Sequence, residues 1–201
     1  MGFLKVIKGS MGAGKSARAI VEHSNFKFNK IKVCVIKPAS DKRDGDKVRS
    51  RIMSGEIKAD FVLAPENDVP INHLIKENYE YVIVDEAHML TVEQVKQLNY
   101  LTAISNISVH MYGLTMSWIG EPFLSFAYAL GYADIIETIG VPNKQGQLST
   151  YHIRYDAEDV PCDIDHGEEI VTGDLDTYET VSKSEFFRTY YKKMQKKFTK
   201  V

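Results

Sequence analysis

The chain is 201 residues long and 44% hydrophobic, with 25 Lys and Arg against 27 Asp and Glu for a formal net charge of −2. That length fits one substantial core plus a small appendage. The balanced charge leaves no basic face for duplex nucleic acid, and there is neither a run of about twenty apolar residues nor a leader-like segment. Cys34 and Cys162, the only cysteines, form no C-x-x-C pair, so neither a disulfide framework nor a thiolate zinc site is readable. A cytoplasmic protein without a membrane or duplex nucleic-acid partner is the expectation.

Residues 3–8 read as a strand that runs into a glycine-rich turn, and residues 16–23 carry apolar spacing that suits a helix. Residues 32–37 and 81–85 are short apolar runs ending in polar residues, as buried parallel strands do at their carboxyl ends. Thr91 with Gln94 makes a capping box ahead of Val92, Val95, Leu98 and Leu101, which space an amphipathic helix, and residues 108–112 return to a strand pattern. Strands alternating with helices predict an α/β fold of the P-loop (RecA-like) kind, a parallel sheet with helices on both faces and ligands gathered beyond the carboxyl ends. The pattern changes near residue 140, where 140–146 is turn-like, 149–155 strand-like and 156–167 acidic and irregular. We therefore expect a main domain at 1–140, a small second region at 141–190 and a solvated basic tail at 191–201.

Gly9-Ser10-Met11-Gly12-Ala13-Gly14-Lys15-Ser16 fits G-x-x-x-x-G-K-S between a strand and a helix, the context that motif requires. Glycines there let backbone amides and the helix N-terminus point at phosphates. Lys15 places a cation at the β- and γ-phosphates of ATP, and Ser16 offers a hydroxyl to Mg²⁺. The competing reading, an ordinary glycine turn before a helix, loses to that context. Asp85-Glu86 closes an apolar strand, where the aspartate can hold the water shell of Mg²⁺ and the glutamate can take a proton from a nucleophile. A solvated strand end would be favoured in isolation, but a phosphate loop lies upstream in the same sheet. Asp85-Glu86-Ala87-His88 also spells a helicase signature; a helicase needs a second motor lobe and a basic path for the strand, which this length and charge do not supply. His88 then reads as a pocket wall or hydrogen-bonding neighbour rather than a proton shuttle.

In this order the pieces resemble the type II thymidine kinases, the compact bacterial, viral and vertebrate cytosolic group. Gly9 to Ser16 resembles the family's phosphate loop, with Met11 at its usual methionine. Lys37-Pro38-Ala39-Ser40-Asp41-Lys42-Arg43 resembles K-P-x-x-D-x-R, and Ser50-Arg51-Ile52 the S-R-x that follows. The resemblance implies transfer of the ATP γ-phosphate to the 5′-hydroxyl of thymidine to give dTMP. Glu86 is then the base, Lys15 and Arg43 stabilise transferring charge, and Ser16, Asp41 and Asp85 surround Mg²⁺, partly through water.

Asp85-Glu86-Ala87-His88-Met89-Leu90 resembles D-E-x-Q-F, with His88 for the usual glutamine and Met89 for the usual phenylalanine. Residues 112–123 resemble Y-G-L-x-x-D-F-x-G-x-P-F, which makes Leu114, Trp118 and Phe123 pocket residues; Trp118 replaces a phenylalanine and Ser117 an aspartate. Val171-Thr172-Gly173-Asp174 and Tyr178 resemble the lasso that closes over the nucleoside, whose backbone reads the base edge, and His152 takes the place of a threonine near the base. Met11 and Met89 complete the implied nucleoside contacts. Pro142 and Gln145, with Ser182 and Glu185, stand where the family carries zinc ligands and restore no tetrahedral soft-ligand set. No structural zinc is expected, and packing of Val181, Phe186 and Phe187 is expected to hold the lobe. The family's usual tetramer implies a homo-oligomer. Two other readings stay open: a kinase for deoxyuridine or a 5-modified deoxyuridine, because Met89, Ser117, Trp118 and His152 depart from the pattern, and a non-catalytic nucleotide-binding regulator, against which Glu86 argues.

Overall fold

The computed structural model describes residues 1–144, 146–149, 151–165 and 178–198, the side chains of 196 and 197 excepted. Its strands begin with β1 (Leu4–Gly9), β2 (Val33–Pro38), β3 (Lys47–Arg49), β4 (Glu56–Lys58), β5 (Phe61–Leu63), β6 (Tyr81–Val84), β7 (Ser108–Gly113) and β8 (Ile135–Ile139). Six of them form one sheet in the order β5-β2-β6-β7-β1-β8, and every neighbouring pair is parallel. Strands β3 and β4 pair antiparallel as a separate hairpin. The first four α-helices are α1 (Lys15–Phe28), α2 (Ile71–Lys76), α3 (Val92–Ile104) and α4 (Leu124–Tyr132).

Alternate side chains of a strand point to opposite faces of a sheet, and here both faces are covered. Val6, Ile36, Val84 and Met111 pack with Leu98 and Leu101 of α3 and with Phe126 and Ala129 of α4. Their neighbours Ile7, Ile83 and Tyr112 turn the other way and meet Ala19 of α1, while Val35 meets Ile20 of α1 together with Val48 and Ile57 of the hairpin. Burial on both faces explains why these strands read as unbroken apolar runs. The expected helix at 92–101 starts at a full capping box. Gln94 N–H donates to Thr91 Oγ1 at 3.1 Å, and Thr91 N–H donates to Gln94 Oε1 at 3.0 Å, which satisfies two otherwise orphaned donors.

Beyond β8 the chain forms two short antiparallel pairs, β9 (Val141–Pro142) with β10 (Leu148–Ser149), and β11 (Tyr151–Arg154) with β12 (Tyr178–Val181). Helices α5 (Lys183–Thr189) and α6 (Tyr191–Phe198) follow. Ile153, Val181, Phe186, Tyr190 and Met194 make a separate buried cluster, with Tyr151 and Phe187 against it. Met194 belongs to the basic C-terminal segment, so packing continues across residue 190 into α6. Ser182 and Glu185 serve helix α5: the Ser182 hydroxyl caps it by accepting from Glu185 N–H at 3.1 Å. Phe186 is wholly buried, and a Cβ added at Gly120, whose φ is 80°, would lie 2.8 Å from its ring. The lobe thus bears directly on the loop after β7. Phe186→Ala is expected to cost about 3–5 kcal/mol, measured as a lowered denaturation midpoint in urea.

Candidate active site

Because the main sheet is parallel, the segments that leave β1, β2, β6 and β7 meet along one edge. After β1, Gly12 and Gly14 take φ values of 72° and 76°, a left-handed backbone that glycine adopts without steric cost. Helix α1 then begins with no side-chain cap, so its first amides are open to an anion. Lys15 is buried, and its Nζ donates to the carbonyls of Ser10 at 2.7 Å and Gly9 at 3.3 Å. Gly9 and Ser10 therefore hold the lysine, while residues 11–16 line the cleft. Burial lowers the Lys15 pKa against the opposing pull of Glu86 and Asp85.

Asp85 and Glu86, adjacent at the end of β6, are in opposite electrostatic states. Asp85 is buried and hydrogen-bonded to Ser16, but its Oδ1 has no hydrogen-bond partner among the described residues. Burial first, and the Glu86 charge second, push its pKa up to about 7. A buried, half-satisfied carboxylate is costly unless a cation completes it, so Asp85, Ser16 and the open loop fit a magnesium-bound nucleotide. Among the described residues no cluster of three or more His, Cys, Asp or Glu could hold a metal by itself; Mg²⁺ shared with phosphate oxygens needs only one or two protein ligands.

The elevated pKa of Asp85 fixes a sign. A carboxyl whose folded pKa exceeds its unfolded value loses stability as pH rises from the ordinary aspartate range through about 7. Asp85→Asn is therefore expected to stabilise the free protein by ~1–3 kcal/mol at pH 8 and by less at pH 4, as read by thermal denaturation at the two pH values, while activity is lost.

Glu86 sits at φ 49°, ψ 39°, immediately before a 3₁₀ turn at Ala87–Met89. Lys30 and Asn78 also have positive φ but lie just past helix ends, where that conformation closes the helix. Glu86 has no such role, and left-handed backbone at a non-glycine residue costs about 1–3 kcal/mol, a strain that collects at functional sites. Its carboxylate is ion-paired with Arg43. Burial alone would raise the Glu86 pKa, but His88, Arg43 and Lys15 outweigh it and hold the carboxyl down at about 2.

His88 is buried with its ring 4.6 Å from that of Phe123. Its Nδ1 accepts the Leu114 N–H at 3.3 Å, so that nitrogen has no proton to give Glu86 Oε2, 3.5 Å away. Burial above all lowers its pKa to about 4, which leaves a neutral ring at neutral pH.

Arg43 Nε meets Asp41 Oδ1 at 2.8 Å, and Lys37 Nζ meets Asp41 Oδ2 at 3.2 Å. Each oxygen of Asp41 thus faces a cation, which orients Arg43 toward Glu86. Burial opposes the Arg43 charge, but Glu86 and Asp41 more than offset it and keep the guanidinium more firmly protonated than usual. Lys37, 1% exposed and also donating to the Lys47 carbonyl at 3.0 Å, was not singled out from the sequence; a lysine inside an apolar run was the available signal.

A single cleft joins the phosphate loop, Asp41, Arg43, Asp85 and Glu86 to Met89, Leu114, Trp118, Phe123, His152 and Tyr178. Asp44, Lys47 and Arg49 line it too, from an exposed polar segment whose sequence carried no distinguishing pattern. Ser117 closes a turn: its hydroxyl donates to the Glu121 carbonyl at 2.9 Å and accepts the Glu121 N–H at 3.2 Å. His152 is buried on β11, and neither ring nitrogen has a hydrogen-bond partner among the described residues. Burial, with Lys15 and His88 adding to it, lowers its pKa to about 3. Val171, Thr172, Gly173 and Asp174, together with Gln145, lie outside the described residues.

A phosphate loop between a parallel strand and a helix, paired carboxylates beside it and an adjoining aromatic pocket define a P-loop phosphotransferase. A family model described as thymidine kinase matches residues 2–186. The chain is 31% identical over 185 residues to a thymidine kinase of Coxiella burnetii, covering 88% of this chain and 91% of that one. It is 30% identical over 182 residues to a thymidine kinase of Shewanella oneidensis, covering 88% and 92%. Among solved structures it is similar to an Hsp104 assembly with a TM-score of 0.42 and 15% identity, over 73% of this chain and 30% of that one, a likeness too weak to bear on the site. The chain belongs to the thymidine kinase family.

Proposed function

We propose that this protein transfers the γ-phosphoryl group of Mg-ATP to the 5′-hydroxyl of thymidine, giving dTMP and ADP. The observation that carries the reading is the continuity of the cleft, with Glu86 and Arg43 at the junction between the phosphate loop and the aromatic wall. Loop amides from residues 11–16, with Lys15, would bind the phosphates, and Ser16 and Asp85 would hold Mg²⁺, which offsets phosphate charge when bound. Met89, Leu114, Trp118, Phe123, His152 and Tyr178 would enclose the nucleoside, with Met11 bordering both sites and residues 171–174 reading the base edge. Phosphoryl transfer asks chiefly for position and electrostatic support. Glu86 accepts the hydroxyl proton; paired with Arg43 it is a weak base, and a guanidinium that turns to the transferring group would restore its basicity. Asp41 then acts by aiming Arg43.

ADP release measured with Mg-ATP and thymidine, deoxyuridine, deoxycytidine or no acceptor tests this reading. Thymidine-dependent release is expected. Release without an acceptor would overturn the kinase assignment, and preference for deoxyuridine would move the specificity. The unpartnered nitrogens of His152 favour a second reading, a deoxyuridine with a polar 5-substituent as acceptor, which is added to the same assay. A homotetramer and a cytoplasmic location belong to the same proposal; light scattering tests the first.

A further inference from the structure

Trp118 is the only tryptophan of the chain, 4% exposed, in the wall of the cleft. Arg154, which does not line the cleft, places its guanidinium carbon 5.5 Å from the centre of the Trp118 ring, within the range of a cation–π contact. The buried Nε of Arg154 has no hydrogen-bond partner among the described residues. Arg154 on β11 also lies directly opposite Tyr178 on β12, and its charge works against the burial that raises the pKa of that phenol. Directly opposed residues of an antiparallel pair share a face, with Cβ atoms roughly 5 Å apart. One guanidinium thus neighbours two rings of the cleft wall that come from separate segments, the loop after β7 and the C-terminal hairpin.

We propose that Arg154 is a positioning residue for the nucleoside: it fixes Trp118 and Tyr178 relative to each other and so sets the width of the slot that receives the base. The inference rests on the placement of these two rings in the nucleoside pocket. Among the described residues Arg154 forms no hydrogen bond or ion pair with the phosphate loop or Glu86, so it bears on nucleoside affinity and leaves the nucleotide half of the cleft alone. An arginine suits the task because its planar cation stacks on an aromatic face and stays charged at every working pH.

Trp118 emission reports the contact directly. In the full-length protein, thymidine is expected to change that emission saturably without ATP. Arg154→Met and Arg154→Gln are expected to alter the emission of the free protein and raise the thymidine midpoint and thymidine KM about tenfold, with the KM for Mg-ATP and kcat within about twofold to threefold. In a Trp118→Leu background the same substitutions should change thymidine KM less, because one of the two rings that Arg154 holds in relation to each other is gone. No response of wild-type Trp118 to thymidine, with kinase activity present, would defeat the pocket placement. A wild-type response combined with an unchanged midpoint in whichever Arg154 variant folds would defeat the role of Arg154. Equal losses for thymidine and Mg-ATP would mark a merely structural residue and overturn it as well.

Discussion

Replacing Glu86 by glutamine is expected to lower kcat by about 10²–10⁴-fold while nucleotide and nucleoside binding persist, because a general base in phosphoryl or acyl chemistry contributes on that scale. The substitution preserves size and leaves the left-handed backbone at φ 49° in place. It removes one charge from the cluster of Lys15, Arg43, Asp85 and Glu86, and the guanidinium of Arg43 would lose one of its two carboxylate partners while keeping Asp41. Steady-state ADP release together with equilibrium binding of ATP separates the outcomes. A loss confined to kcat supports the base assignment; a loss below tenfold would mean that the hydroxyl proton leaves by another route.

Lys15→Met should be nearly as damaging, by about 10²–10³-fold in kcat, since the cation that faces transferring charge in a buried site has no substitute there. Methionine fills comparable volume, and burying a thioether carries none of the desolvation that lowers the Lys15 pKa. The fold is therefore expected to survive. The carbonyls of Gly9 and Ser10 lose their donor, and Asp85 loses one of the groups that hold its pKa down. Single-turnover phosphoryl transfer and thermal denaturation on the same sample make the check, and activity within tenfold of the parent would remove Lys15 from the mechanism.

The phosphate loop and the paired carboxylates were legible because their chemistry is contiguous: eight residues carry the first and two carry the second. Helix α3 was legible for the same reason, with cap and apolar spacing lying within one short window. The separate hairpin of β3 and β4 was not, because strands of three residues have too little periodicity to register. The order of the sheet, which sets β7 between the strands that lead to Lys15 and Glu86, depends on pairings between distant segments. The backbone of Glu86 was equally hidden, since surrounding elements impose it and the residue type does not advertise it, whereas Lys37 had its place in an apolar run as a signal. Arg154 lay inside a stretch that read as a strand, and only pairing with Tyr178 and proximity to Trp118 give it a meaning.

Lys15, Asp41, Arg43, Asp85 and Glu86 match the motifs that the sequence resembles, whereas the departures, His88 and Met89 after β6 among them, lie toward the aromatic half of the cleft. Trp118, Ser117 and His152 come from the loop after β7 and the C-terminal hairpin, which meet each other where Phe186 packs on Gly120. Two sets of residues within one 201-residue chain therefore divide the work, one facing the phosphates and the other the aromatic half of the cleft. A change confined to that loop and the β11–β12 pair would reshape the aromatic end of the cleft and leave the backbone that frames Lys15 and Glu86 where it is.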